Sequence, residues 1–269
     1  MRLGLWWTGL NLSFLLSLVL TGLVGGLITS LVGASGVMVI VPALSLLQGF
    51  TIHTSIGTSL MVDVIASLTV AYGYYRHGNI DLKPGAWIAL GSIAGAQLGA
   101  AFCPTIPESG LGAAFGLMLI VSGVGIWKGG ARKEAFLERF RGIVGLRSNR
   151  TRTIITLLLG FLIGVNGGVF GAGGGLLILL VLLFFLNYPT HKAVGTSTLI
   201  MAITATSGAL GYTLQGNIDI LAGSIISLGT ILGGFTGTRF ANLADEETFS
   251  KVVGAMFLVL GVFMIIMHL

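Results

Sequence analysis

The chain has 269 residues, of which 54% are hydrophobic and only 9% are charged. Soluble domains carry about a quarter charged residues, so this composition excludes a soluble globular protein and indicates a polytopic membrane protein. The net charge of +5 does not indicate nucleic-acid binding, because the basic residues gather at segment ends and in one loop. Cys103 is the only cysteine, which excludes a disulfide framework and a cysteine metal site.

Ten apolar segments follow one another along the chain, five in each half. They cover residues 10–33, 36–50, 56–75, 86–104 and 110–128, and then 154–171, 174–188, 194–213, 222–240 and 249–267. Most approach the length that spans a bilayer. The second segment of each half is shorter and follows a glycine cluster, so we expect a half-helix or a re-entrant piece there. The predicted fold is an all-α membrane protein with a repeat at 1–128, a basic linker at 129–153 and a repeat at 154–269. Apolar residues at helical spacing around 136–144 predict an amphipathic helix within the linker.

The two halves repeat one pattern at a constant offset of 138 positions. The tetrapeptide GNID occurs at 78–81 and 216–219, and GTS occurs at 57–59 and 195–197. His53 matches His191 at the same offset. Such coincidences predict an internal duplication. The N-terminal segment matches an internal helix near 155–172, so we expect residues 13–33 to be a retained helix rather than a cleaved leader.

The basic residues predict the orientation of the halves. The stretch from Lys128 to Arg152, which is the linker with the residue before it, holds eight of the 14 basic residues, and the positive-inside rule places it in the cytoplasm. Counting spans from the linker puts every other basic residue except Arg2 on the same side, and puts both chain termini outside an inner membrane. His53 then faces outward and His191 inward, so the halves are inverted. Inverted repeats are typical of secondary transporters, whose sites lie near the bilayer midplane.

Two glycine clusters, GASG at 33–36 and GGVFGAGGG at 167–175, precede the short segments. A helix that restarts after such a break directs free N–H groups into the membrane, which suits an anion. Tight helix packing is the alternative explanation. The predicted substrate-binding residues here are Gly33, Ala34, Ser35, Gly36, Gly171, Gly173 and Gly174.

Further polar residues lie close to these breaks. The GTS segments, which are Gly57, Thr58, Ser59, Gly195, Thr196 and Ser197, either cap a helix or donate hydroxyl groups to an oxyanion. Asn166 lines the predicted cavity or caps the second break.

Asp63 lies near the middle of the third segment, and its repeat partner is Met201. A carboxylate at that depth indicates an ion or proton path, so Asp63 is a candidate for proton coupling. A protonated carboxyl group bonded to a neighbouring helix is the alternative. Arg76 and Arg239, at helix ends, are candidates for guiding an anion at the cytoplasmic mouth, and orientation signals or lipid contacts are the alternative.

An enzyme is not indicated, since the sequence contains no HExxH motif, P-loop or nucleophile elbow. No metal or other cofactor is expected. A channel stays open as an alternative, because sequence does not separate a pore from alternating access.

The chain resembles the sulfite exporter TauE/SafE family, also called the 4-toluene sulfonate uptake permease family. The similarity rests on the glycine-rich breaks, on HTSIGTSL and HKAVGTSTL, and on YGYYRHGNID and LGYTLQGNID. It implies a transporter, an exporter by the family's description, whose substrate is sulfite or another small sulfur-containing anion. The residues alone imply only a small anion. The oligomeric state stays open, a homodimer included.

Overall fold

The computed structural model describes residues 12–32, 35–129, 149–171, 174–186, 188–240 and 246–268. Within these ranges the chain is helical and contains no strand. This confirms the predicted all-α fold.

The first half contains five helices in the described residues. They are α1 (Leu12–Val32), α2 (Val37–Pro42, continued by a π-helical turn at Ala43–Leu47), α3 (Ile52–Arg76), α4 (Leu82–Phe102) and α5 (Glu108–Gly129). The side chain of Thr51 caps α3 by accepting from the Thr54 N–H, and Asp81 caps α4 by accepting from the Lys83 N–H. Both caps stand just ahead of an apolar run, so the local sequence fixes where these two helices begin.

The second half has the same order of elements among its described residues. They are α6 (Asn149–Phe170), α7 (Gly174–Leu180, continued by a π-helical turn at Val181–Phe185), α8 (Thr190–Leu214), α9 (Ile220–Phe240) and α10 (Glu246–His268). Helix α6 begins at Asn149, before the apolar segment predicted from 154, and therefore includes Arg150 and Arg152. The amphipathic helix expected around 136–144 lies outside the described residues.

Eight of the described helices are long and apolar enough to cross a membrane, whereas α2 and α7 are shorter. The outer faces of the long helices carry exposed apolar side chains. Leu16 and Leu20 of α1 are exposed, and so is Phe263 of α10. Apolar surface of this extent suits lipid rather than water. The chain is a multi-pass membrane protein.

Glycines bring helices of opposite halves into backbone contact. Helix α1 packs along α9, and α6 packs along α4 in the same way. A methyl group on Gly91 would strike the carbonyl oxygen of Leu157, and one on Gly229 would strike that of Val19. These glycines therefore serve close helix packing.

The third helices of the two halves, α3 and α8, pack against each other in opposite directions. Gly57, near the start of α3, faces Tyr212 near the end of α8. Gly195, near the start of α8, faces Tyr74 near the end of α3. The fifth helices behave alike, since Gly112 at the start of α5 faces His268 at the end of α10.

Candidate functional site

The repeated GTS and GNID segments contact each other across the halves. The Thr58 hydroxyl of α3 accepts a hydrogen bond from the Asp219 N–H at 2.9 Å. The Thr196 hydroxyl of α8 accepts from the Asp81 N–H at 3.0 Å. We call these two contacts the corner joints. Each joins the start of one half's third helix to the corner after the other half's third helix.

Each corner turns through a glycine with positive φ, Gly78 at 70° and Gly216 at 71°. A side chain at this backbone conformation would be strained, which explains the glycine. The N–H of Asn79 donates back to the Tyr74 carbonyl at 3.0 Å, the pattern that closes a helix end.

The joints leave no room for side chains at Gly57 and Gly195. A methyl group there would strike the carbonyl oxygens of Asn217 and Asn79 respectively. The hydroxyls of Ser59 and Ser197 bond within their own helices. The GTS residues thus lie at the joints, and the structure does not bring them into the central pocket described next.

A small pocket lined by buried residues lies where the helix breaks meet α3 and α8. It has a volume of about 10 Å³, which accommodates about one water molecule. It is lined by Ser35, Leu60, Asp63, Gly167, Gly171, Gly174, Met201, Thr204 and Ala205.

Asp63 is the only ionisable residue among those lining this pocket. Its side chain is 3% exposed and accepts a hydrogen bond from the Ser35 hydroxyl at 2.9 Å. Within the described ranges it has no cationic partner. Ser35 begins the segment that leads into α2, so this bond ties α3 to the break after α1.

The second glycine cluster closes the pocket from the opposite side. Gly171 follows α6 with φ of 68°, and a methyl group there would crowd Ile56 and Val37. On the α8 side, the Thr204 hydroxyl pairs with Ser92 of α4 at 2.6 Å. Glycine backbone and hydroxyl groups therefore form the polar part of the wall around Asp63.

Four of the predicted site residues meet in this pocket: Asp63, Ser35, Gly171 and Gly174. Gly36 adjoins it, but faces the backbone of Gly25 in α1. Sequence reasoning missed Met201 and Thr204 of α8. The repeat offset offered a signal for Met201, because it is the partner of Asp63.

The other predicted residues lie apart from the pocket or outside the described chain. Asn166 is half-buried in α6, next to the lining residue Gly167. Gly33, Ala34 and Gly173 lie outside the described residues. Arg239 is in the last turn of α9, and its side chain also lies outside them.

Arg76 lies in a second, larger cavity. This half-open groove has a volume of about 440 Å³ and runs between the C-terminal part of α3 and α9. It is lined by Thr69, Tyr72, Gly73, Arg76, His77 and Phe235.

A many-helix membrane protein with a buried polar pocket between broken helices has the architecture of a membrane transporter. The family model described as Sulfite exporter TauE/SafE matches residues 18–264, so the chain belongs to this family. Members of this family are membrane transporters and not enzymes, which confirms the expectation from sequence.

Individual relatives agree over nearly the whole chain. The probable membrane transporter protein YdhB of Bacillus subtilis is 31% identical over 85% of this chain and 91% of its own length. YunE of the same organism, also a probable membrane transporter protein, is 26% identical over 91% and 94%. The archaeal MJ0441 of Methanocaldococcus jannaschii, again a probable membrane transporter protein, is 22% identical over 93% and 94%. No solved structure matches the chain.

Proposed function

We propose that this protein exports a small sulfur-containing anion such as sulfite by alternating access, coupled to a proton carried on Asp63. The observation that carries the proposal is the small pocket in which a buried carboxyl group meets two glycine-rich helix breaks. An ionised carboxylate is costly at membrane depth, and Asp63 has no cation beside it in the described residues. The substrate class follows the family description.

The pocket supports linked binding of an anion and a proton. Backbone and hydroxyl groups at the breaks suit an oxyanion. A carboxylate beside that anion would repel it, and the repulsion is strong where water is excluded. The anion therefore shares the pocket with Asp63 only when the carboxyl group is protonated, which makes transport depend on a pH gradient.

The present volume implies motion during the cycle. About 10 Å³ holds about one water molecule but not a sulfite ion, so the surrounding helices must separate to admit substrate. The antiparallel packing of α3 on α8 supports two inverted halves, and inverted halves commonly alternate access around a central site. In this proposal the protein lies in the inner membrane, with the 129–153 linker cytoplasmic and both termini external.

The decisive experiment is sulfite flux into proteoliposomes, with and without a pH gradient, with sulfate and an organic sulfonate as competitors. We expect saturable sulfite flux whose rate depends on the pH gradient. The Asp63→Asn variant should bind substrate but lose the dependence on the gradient. Wild-type, pH-dependent flux in that variant would refute the role of Asp63.

A different small anion is the second candidate, because the pocket itself selects charge and size rather than sulfur. Sulfite flux that is absent under every gradient, with another anion transported instead, would favour it. Flux that neither saturates nor responds to a pH gradient would indicate a channel.

A further inference from the structure

The two halves differ at one pair of equivalent helix–helix interfaces, which we call seams. One is formed by α4 with α8, and the other by α3 with α9. The α4–α8 seam is closed by hydrogen bonds. The Gln97 amide donates to the Ser207 carbonyl at 2.6 Å, and the Ser207 hydroxyl donates to the Ile93 carbonyl at 2.9 Å. The Gln215 amide donates to the Ala100 carbonyl at 2.8 Å, which seals the end of α4.

The α3–α9 seam is open at the matching positions. Thr69, Gly73, His77 and Phe235 are the counterparts of Ser207, Gly211, Gln215 and Gln97, and all four line the 440 Å³ groove. A methyl group on Gly211 would press on Ala100 of α4. A methyl group on Gly73 would meet no described atom within 4 Å.

Two tyrosines at matching positions show the same difference. The Tyr212 hydroxyl donates to the Gly168 carbonyl at 3.0 Å, which ties the end of α8 to the end of α6. Tyr74 is its counterpart on α3, and its hydroxyl has no such partner among the described residues. The side of the molecule where α3 ends is therefore the less tightly closed one.

We propose that the groove between α3 and α9 is the vestibule through which the transported anion reaches the Asp63 pocket, while the α4–α8 seam is the closed gate on the opposite face. This inference rests on the proposed transport function and adds the route and the residues that recognise the anion there. By the positive-inside rule this vestibule faces the cytoplasm, from which an exporter takes its substrate.

The chemistry of the groove fits an oxyanion. The exposed Arg76 guanidinium has no ion-pair partner in the described part of the chain, and the His77 imidazole follows it. A guanidinium group binds oxyanions in a two-pronged geometry. The aromatic ring of Tyr72 borders the same space.

Ser67 carries a buried hydroxyl on the same face of α3 as Asp63. Ser67 is one helical turn beyond Asp63 and two residues before Thr69, which lines the groove. Its side chain is 0% exposed, and it is the one buried side-chain oxygen or nitrogen without a hydrogen-bond partner in the described residues. Buried polar groups are normally paired, so this hydroxyl is available to a water molecule or an anion that reaches the Asp63 face of α3.

Thiol labelling compares the two seams directly. Thr69→Cys and Ser207→Cys are placed separately in a Cys103→Ala protein, which serves as the parent. Ser207 is the repeat partner of Thr69 and therefore the matched control. Each variant is reconstituted and treated with a membrane-impermeant sulfonated maleimide, whose thioether adduct sulfite does not cleave. Excess reagent is removed before sulfite flux is measured.

We expect the position 69 thiol to react at least about tenfold faster than the position 207 thiol, since a thiol in a closed seam reacts only through local opening. Labelling position 69 should abolish most flux. Equal labelling rates, or full flux after labelling at position 69, would overturn the vestibule. A parent protein without sulfite flux would count against the proposed function, whereas the labelling contrast would still decide which seam is open.

Substitution of Arg76 provides an independent test of anion recognition in the groove. Arg76→Gln should raise KM for the anion about tenfold, as expected for loss of a charged hydrogen bond, and Arg76→Lys should restore part of it. An unchanged KM in Arg76→Gln would contradict the assignment.

An anionic lipid headgroup offers similar chemistry, so labelling is repeated in phosphatidylcholine vesicles with and without phosphatidylglycerol. Protection of position 69 by phosphatidylglycerol would assign the groove to lipid and overturn the proposal.

Discussion

Alanine at Gly57 should weaken the corner joint without touching the pocket. Gly57 lies against the backbone of the opposite half, where a methyl group would meet the Asn217 carbonyl oxygen and the Tyr212 side chain. The Tyr212 Cβ would be 3.0 Å away and the carbonyl oxygen closer still. Because the obstacle is backbone rather than a flexible side chain, α3 and the corner must move apart.

The cost follows from three terms. Overpacking a filled site costs about 1–3 kcal/mol, and a backbone obstacle favours the upper end. Separation of the joint also stretches the bond from Asp219 to Thr58, which contributes about 1 kcal/mol. Alanine regains about 1 kcal/mol of helix propensity. The net loss is about 2–3 kcal/mol, or about 4–12 °C in the unfolding midpoint.

Cys103 supplies the assay, because its thiol is the only one in the chain and is buried in the folded protein. A fluorogenic maleimide reports its exposure during heating in detergent. Gly195→Ala, at the other joint, should lose a similar amount. Gly125→Ala is the control, since a methyl group there meets no described atom within 4 Å. Midpoints of Gly57→Ala and Gly125→Ala within 1 °C of each other would refute the reasoning about the joint.

Three further predictions concern the joint, a tyrosine beside it and the topology. Thr58→Val should lower the free energy of unfolding by about 1 kcal/mol in the same thermal assay, because a part-buried N–H loses its acceptor, whereas Thr58→Ser should lose less. Burial, with a smaller contribution from a nearby carboxylate, raises the pKa of Tyr188 to about 12. Wild type should therefore lose stability relative to Tyr188→Phe as pH rises from about 10 to 12, and parallel pH profiles would contradict this. Single cysteines replacing His53 and His191, in a Cys103→Ala background, should label from opposite faces of the membrane; labelling from one face would contradict inverted halves.

Periodicity and hydropathy predicted the helices well, because a membrane span needs a long apolar run that any window reveals. Ser35, Asp63, Gly171 and Gly174, all singled out from the sequence, line one pocket, and their roles in transport stay predictions. The corner joints were not predictable. Thr58 and Asp219 are 161 positions apart, and the offset showed that both motifs are repeated but not that they contact each other.

The position of each feature relative to the middle of α3 and α8 explains why GNID occurs twice and the carboxylate once. Gly57 faces Tyr212, and Gly195 faces Tyr74. The start of each antiparallel helix therefore contacts the end of the other helix at an equivalent position. One corner joint lies at each of these ends, and each joint is formed by one GTS segment and one GNID segment. Asp63 lies near the middle, where both halves border one shared pocket. That pocket is lined by a single carboxyl group, because the position on α8 that is equivalent to Asp63 is Met201, and a second carboxylate so close to the first would repel it.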